Sequence, residues 1–264
     1  MGKKLLIDCG WIVSVDPAIG DLKDAKILIE DDKIAEIGNQ IQNEADEILD
    51  ATDLIVLPGL INAHLHTWQT GTKVIGSEWV SPDYHKNMHS NMATRFTAED
   101  TYLGNLMGAL NQIDNGTTTV FDWCHNLRDL EMAERAIDGL EESGIRAVFG
   151  HGTAKPPTAE HETPYTHIPH PRDRVEHLRK TRFSSDDGLI TLAMAILGPD
   201  FGSFDVAVAR DHDHRQVWMV FPQAVQHLHA VESGHLDVEQ NGVKLSLADF
   251  LQGGLAVRGL DRLI

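Results

Sequence analysis

Basic side chains are scarce. The 264 residues hold 22 Lys and Arg against 40 Asp and Glu, a formal charge of −18. A phosphate backbone asks for a basic surface, so the balance argues against a nucleic-acid partner. Cysteine is scarcer still. Cys9 and Cys124 are the only two, too few for a disulfide framework, and a reducing cytoplasm is the expected compartment. Long apolar runs are missing as well. Leu5-Leu6-Ile7 after Lys3-Lys4 is cut off by Asp8, whereas a signal-peptide core needs roughly 7–15 residues. No stretch approaches the ~20 apolar residues of a membrane span. What is present is an ordinary globular mix, 42% hydrophobic, which excludes disorder as the dominant state.

Residues 1–57 are expected to fold as a small β domain or part of one. Leu5–Val15 is apolar around Gly10, and apolar residues at 27, 29, 34 and 37 flank Asp31-Asp32 as in a hairpin. Gln40–Ile48 is polar and predicts a loop. Leu54–Leu57 predicts a buried strand ending at Pro58-Gly59.

After Pro58 the rhythm changes. Strands are expected at Leu60–His66, Thr117–Trp123, Ile145–Gly150 and Leu189–Leu197. Helical spacing falls between them, over Ala98–Gln112 with Thr97 as its cap, Leu130–Glu142 stopped at Gly144, and Arg172–Thr181. Strand–helix repetition predicts an α/β fold with a parallel sheet or a (β/α) barrel. Residues 79–91 and the Pro- and His-rich 154–171 are expected to be long connections. From about Arg210 the rhythm degrades, and five of the 15 histidines fall between 212 and 235.

The string Pro58-Gly59-Leu60-Ile61-Asn62-Ala63-His64-Leu65-His66 carries the chemistry. Side chains repeat every two residues along a strand, so both imidazoles point one way and can reach one metal ion. Two surface histidines on a strand end are the plainer alternative. Trp68 and Gln69 follow the motif and are candidates to line a substrate pocket. Asp122 and His125 in Asn115–Asn126, and His151 after the next strand, fall at neighbouring strand ends. Each is a candidate substrate contact. For Asp122 a helix cap is the alternative, for His125 a loop position.

At these motifs the sequence resembles the amidohydrolase superfamily, most of all its cytosine deaminase, guanine deaminase and triazine hydrolase branch. The resemblance covers roughly residues 4–205. It implies a (β/α)8 TIM barrel over 58–264 beside a small β-sandwich built partly from residues 1–57. It makes His64 and His66 ligands of a catalytic zinc, with iron as the alternative. Leu189–Leu197 contains no lysine, so the resemblance favours the mononuclear, deaminase-like subtype over the kind that bridges two metals with a carboxylated lysine. Further ligands are then required. His229-Ala230-Val231-Glu232 has the expected spacing, which makes His229 a third ligand and Glu232 the proton-shuttling acid. No histidine follows His235, and nothing matches the later barrel strands. The chain therefore reads as C-terminally truncated, with its texture change near 210 open to a reading-frame shift.

The implied activity is hydrolysis of a C–N, non-peptide bond. A metal-bound hydroxide would deaminate or dehalogenate a purine, pyrimidine or s-triazine ring. The implied partners are a small heterocyclic substrate and, in keeping with the family, a homo-oligomer, with no nucleic acid and no membrane. A non-catalytic fragment and a metal- or small-molecule-binding module without turnover stand as alternatives.

Overall fold

The computed structural model describes residues 2–42 and 44–197, together with the backbone of Trp218–Met219. Two compact units meet in sequence between Pro58 and Gly59.

The first unit is a four-stranded sheet. Its strands are β1 (Lys4–Val13), β2 (Asp21–Glu30), β3 (Lys33–Gly38) and β4 (Glu47–Val56), in the order β3-β2-β1-β4. β1 pairs with β2 antiparallel and with β4 parallel. The expected hairpin is there, closing from Glu30 to Lys33 with Asp31 at positive φ. Alternation splits the apolar residues between two faces: Leu6 and Leu28 pack with Ile41, while Cys9, Ala25 and Ile27 form a second cluster. β1 continues through Gly10, where a Cβ would lie 2.1 Å from the Thr52 carbonyl oxygen on β4. Two expectations change. β4 begins at Glu47, inside the stretch expected to be loop. It is also mostly exposed, with Leu54 and Ile55 open to solvent, so its apolar run is not a buried strand.

The second unit is a parallel sheet in the order β5-β6-β7-β8-β9. The strands are β5 (Leu60–Leu65), β6 (Thr117–Cys124), β7 (Arg146–His151), β8 (Ile190–Met194) and the short β9 (Trp218–Met219). Helices α2 (Ala98–Asp114), α3 (Leu130–Ser143) and α4 (Arg172–Thr181) link successive strands. A mixed α/β fold with a parallel sheet is therefore what the sequence specifies. The segment 79–91 is helical rather than a plain connection. A short turn of α-helix, α1 (Ser81–Tyr84), runs into a wider π-helical stretch, His85–Met92.

Local chemistry explains the boundaries. Thr97 Oγ1 accepts the Asp100 backbone N–H and Asp100 accepts that of Thr97, a reciprocal cap that starts α2. Asp129 caps α3, and Gly144 ends it in the left-handed region. The core gathers Val120, Ile137, Leu140, Phe149, Leu178 and Leu192 between sheet and helices. α2 buries its small face instead of its large one. Gly104, Gly108 and Ala109 are inside, while Leu103, Met107, Leu110 and Ile113 are exposed.

Candidate active site

The strand ends of β5, β6 and β7 bring the candidate residues to one edge of the sheet. β5 is tied to α2 by Asn62, whose side-chain amide donates to Gln112 at 2.9 Å while its carbonyl accepts the His64 N–H at 3.2 Å. His64 and His66 then turn their Nε2 atoms toward each other at 3.3 Å. His66 Nδ1 lies 2.8 Å from the Trp123 carbonyl oxygen. A carbonyl only accepts, so Nδ1 carries the proton and Nε2 presents its lone pair. Burial holds His64 below the usual histidine pKa and brings His66 to about 4. Both rings are thus neutral at pH 7, the state a metal ligand requires.

Around this pair lies a second layer of aromatic and imidazole rings. Trp123 stands 5.7 Å from His64 and 5.5 Å from His66, ring centre to ring centre. Its indole N–H donates to the Ala195 carbonyl. His125 lies 4.0 Å from His66 and 4.6 Å from His89, and His89 lies 5.3 Å from His85. His125 Nδ1 and His89 Nε2 are buried without a hydrogen-bond partner. Burial pushes the His125 pKa far down and that of His89 to about 3.

Asp122 is fully buried at the end of β6. One oxygen accepts the Thr67 N–H at 3.0 Å and the other the Asn105 side-chain amide at 3.0 Å. It thereby pins the 3-10 turn that follows His66 to β6 and α2. Burial raises its pKa to about 6 against those hydrogen bonds. Trp68 is also fully buried, edge-on to Phe96 and 5.6 Å from His125. Gln69 donates to the Tyr84 hydroxyl at 2.6 Å and lines a cavity of about 470 Å³ with Ile75, Trp79, Tyr84 and Met88. His151 is buried with Nδ1 3.0 Å from His170 Nε2 and with its own Nε2 unpartnered. It pairs off with His170, not with the rings around His66. His229 and Glu232 lie outside the described residues. Among the described residues, no group of three or more His, Cys, Asp or Glu is arranged to hold a metal ion.

Sequence reasoning missed three participants. His85 and His89 are spaced as neighbours on one helix face, a signal hidden by reading 79–91 as a connection. Lys155 comes from the long Pro-rich loop. Its ammonium stands 5.8 Å from the centre of the Trp123 ring, and its charge lowers the pKa of His66, His85, His89 and His125. The loop starts at Gly152, where a Cβ would sit 2.8 Å from the His125 Cα. Only glycine lets the chain leave β7 so close to His125.

No family model matches the chain. It is 32% identical over 148 residues to the 5'-deoxyadenosine deaminase of Methanosarcina barkeri, covering 56% of this chain and 33% of that protein. It is 35% identical over 129 residues to the 5-methylthioadenosine/S-adenosylhomocysteine deaminase of Carboxydothermus hydrogenoformans, covering 48% and 28%. The matched region thus spans about a third of the length of these curated relatives. Among solved structures, a mutant atrazine chlorohydrolase from Arthrobacter aurescens complexed with zinc and atraton superposes with a TM-score of 0.58 at 19% identity, over 76% of this chain and 48% of that one. The guanine deaminase of C. acetobutylicum gives 0.55 at 18%, over 73% and 45%. At such identities the structural likeness speaks for the fold alone. The resemblance read from the sequence agrees with the deaminases among the curated relatives, and the solved structures agree with it in fold.

Proposed function

We propose that the chain carries the first part of the active site of a metal-dependent hydrolase that removes an amino group or halide from a heteroaromatic ring. On this reading the parallel strands are part of a (β/α)8 barrel over 58–264, and residues 1–57 are a piece of a β-sandwich. The observation that carries it is the His64–His66 pair. Two imidazole nitrogens at roughly 2.0–2.1 Å from one tetrahedral zinc lie about 3.3 Å apart, which is the separation found here. The donor set, neutral and with one ring locked by a backbone carbonyl, fits zinc, and iron is the alternative.

A bound ion there would supply Lewis acidity and bring the pKa of a water it holds toward neutrality. The chain's own residues do the rest. His64 and His66 hold the ion, and the Trp123 carbonyl keeps His66 in the required tautomer. Asp122 fixes the turn after His66 and so the direction of that ring. His125 and Trp123 wall the site with flat surfaces suited to a planar ring. Trp68 backs His125, and Gln69 orients Tyr84. His151 is a candidate donor or acceptor to the substrate through its unpartnered Nε2. His229 would add a third ligand and Glu232 a proton shuttle. The location we infer is the cytoplasm, and no described helix is long and apolar enough to cross a membrane.

Binding without turnover is the second reading, favoured by the finding that only two ligands converge among the described residues. Elemental analysis of the desalted protein separates the outcomes. About one zinc or iron per chain, lost in His64→Ala, together with ammonia release from 5'-deoxyadenosine, guanine or an aminotriazine, is expected. Stoichiometric metal without release supports binding alone. Substoichiometric metal in both proteins overturns the proposal.

A further inference from the structure

His66 is oriented through its ring, by the Trp123 carbonyl at Nδ1. His64 is held by a different route, through its backbone. The register between β5 and β6 runs from Leu60 to Asn62, shifts, and resumes at Leu65. Ala63 and His64 fall inside that shift, so the regular ladder between the strands does not fix them. The His64 N–H instead donates to the side-chain carbonyl of Asn62 at 3.2 Å. The other end of the Asn62 amide donates to Gln112 on α2 at 2.9 Å, across 50 residues of sequence.

One atom sets the order of donors and acceptors along this chain. A backbone N–H only donates, so the Asn62 atom that faces His64 is its oxygen. The Asn62 NH2 group then faces Gln112, and a donor there requires an acceptor. Gln112, half-buried near the end of α2, supplies its side-chain oxygen. The two ends of an amide are nearly equal in shape, and only their partners tell them apart. Without an acceptor on α2 the Asn62 amide is free to turn. A turned amide sets its NH2 group against the His64 N–H, donor against donor. The Nε2 atoms of His64 and His66 stand 3.3 Å apart, and such a pair has to be held within about 0.5 Å of its working geometry. A loose His64 adds its own ordering to the cost of binding an ion.

We propose that Gln112 is a positioning residue for the His64–His66 pair: through Asn62 it fixes the His64 backbone and so preorganises the pair for a metal ion. This rests on the metal-dependent reading above and adds to it a residue that acts through Asn62 from the neighbouring helix.

The test uses the full chain and reads two quantities, neither of which needs turnover. One is the dissociation constant for zinc, measured by competition with a chromophoric chelator. The other is the hydrogen-exchange rate of the His64 amide in the zinc-free protein. Gln112→Met keeps the length and helix preference of the side chain and removes the acceptor. It is expected to weaken zinc binding about tenfold, the lower end for loss of a group that orients a metal ligand, and to speed His64 exchange. Gln112→Glu keeps an acceptor in the same place and is expected to hold both quantities near wild type. Thr97→Ala loosens α2 at its other end and is expected to change neither. Unchanged zinc affinity or unchanged His64 exchange in Gln112→Met overturns the role of Gln112. So does an equal loss in Gln112→Glu, which would make shape and not the acceptor decisive, or in Thr97→Ala, which would make it a general loosening of the helix. Each of these leaves the metal-site reading standing. A wild type that binds no zinc overturns that reading and this inference with it.

Discussion

At the scale of single residues, the site is organised by what each polar atom is given to bond. His66 shows it best. Its Nδ1 is committed to the Trp123 carbonyl, so only Nε2 is left for a ligand. Asp122, which looks from the sequence like a group facing the mouth, spends both oxygens on Thr67 and Asn105. Its effect on chemistry passes through the turn it holds. Backbone conformation is the other single-residue matter. Val74 has φ 73° and is 73% exposed. A β-branched residue in the left-handed region is strained by about 1–3 kcal/mol. Val74→Gly removes that strain at the entropic cost of a glycine, and a net gain of up to about 1 kcal/mol is expected. Urea denaturation of the two proteins measures it, and a loss of stability on substitution contradicts the assignment of strain.

Among the elements, α2 decides how the site is built. Its bulky residues suggest by their spacing which face should be buried, yet the small face is buried. Gly104 lies against the turn after His66, where an added Cβ would come within 2.5 Å of the Trp68 carbonyl oxygen. Large side chains on that face would hold the turn, and with it His66 and Trp68, away from the sheet. Gly104→Ala is therefore expected to destabilise by about 1–3 kcal/mol as an overpacked contact. It should also reduce metal retention by displacing His66. Thr97→Ala removes the reciprocal cap of α2 at a cost of about 1 kcal/mol and leaves metal content unchanged. Denaturation and elemental analysis on the same two preparations distinguish a contact that shapes the site from one that only supports the helix.

For the whole molecule, the burial of many imidazoles makes stability depend on pH. Burial lowers His89 to about 3 and His170 to about 4. Between those values and about 6.5, the unfolded chain binds protons that the folded one refuses. Their contribution is complete above pH 6.5 and is lost as pH falls toward the folded values. Asp122, raised to about 6, acts in the opposite sense, since the folded state keeps a proton that the unfolded state has released. One carboxyl offsets only part of two imidazoles. His66, His125 and His151 act in the same sense, so stability of the metal-free protein is expected to fall by roughly 3 kcal/mol or more from pH 7 to pH 5. His170→Gln should flatten that dependence. A denaturation midpoint that does not change over this range argues against buried neutral histidines.

The sequence by itself determined the order of strands over 60–194 and of the three helices between 98 and 181, the caps Thr97 and Gly144, the hairpin at Asp31-Asp32 and the pairing of His64 with His66. These are local matters: the period of apolar residues, the turn chemistry, and the rule that alternate strand residues share a face. It also pointed to deaminases of the kind found among the partly matched relatives. It did not determine which side of α2 is buried, because Leu103 and Gly104 offer two faces and only packing against the Trp68 turn and α3 chooses between them. Nor did it place His89 or Lys155 near His66. Both come from connections whose composition says nothing about where they return. Tertiary structure decided that, because the distance between a loop residue and a strand end is set by the packing of everything between them.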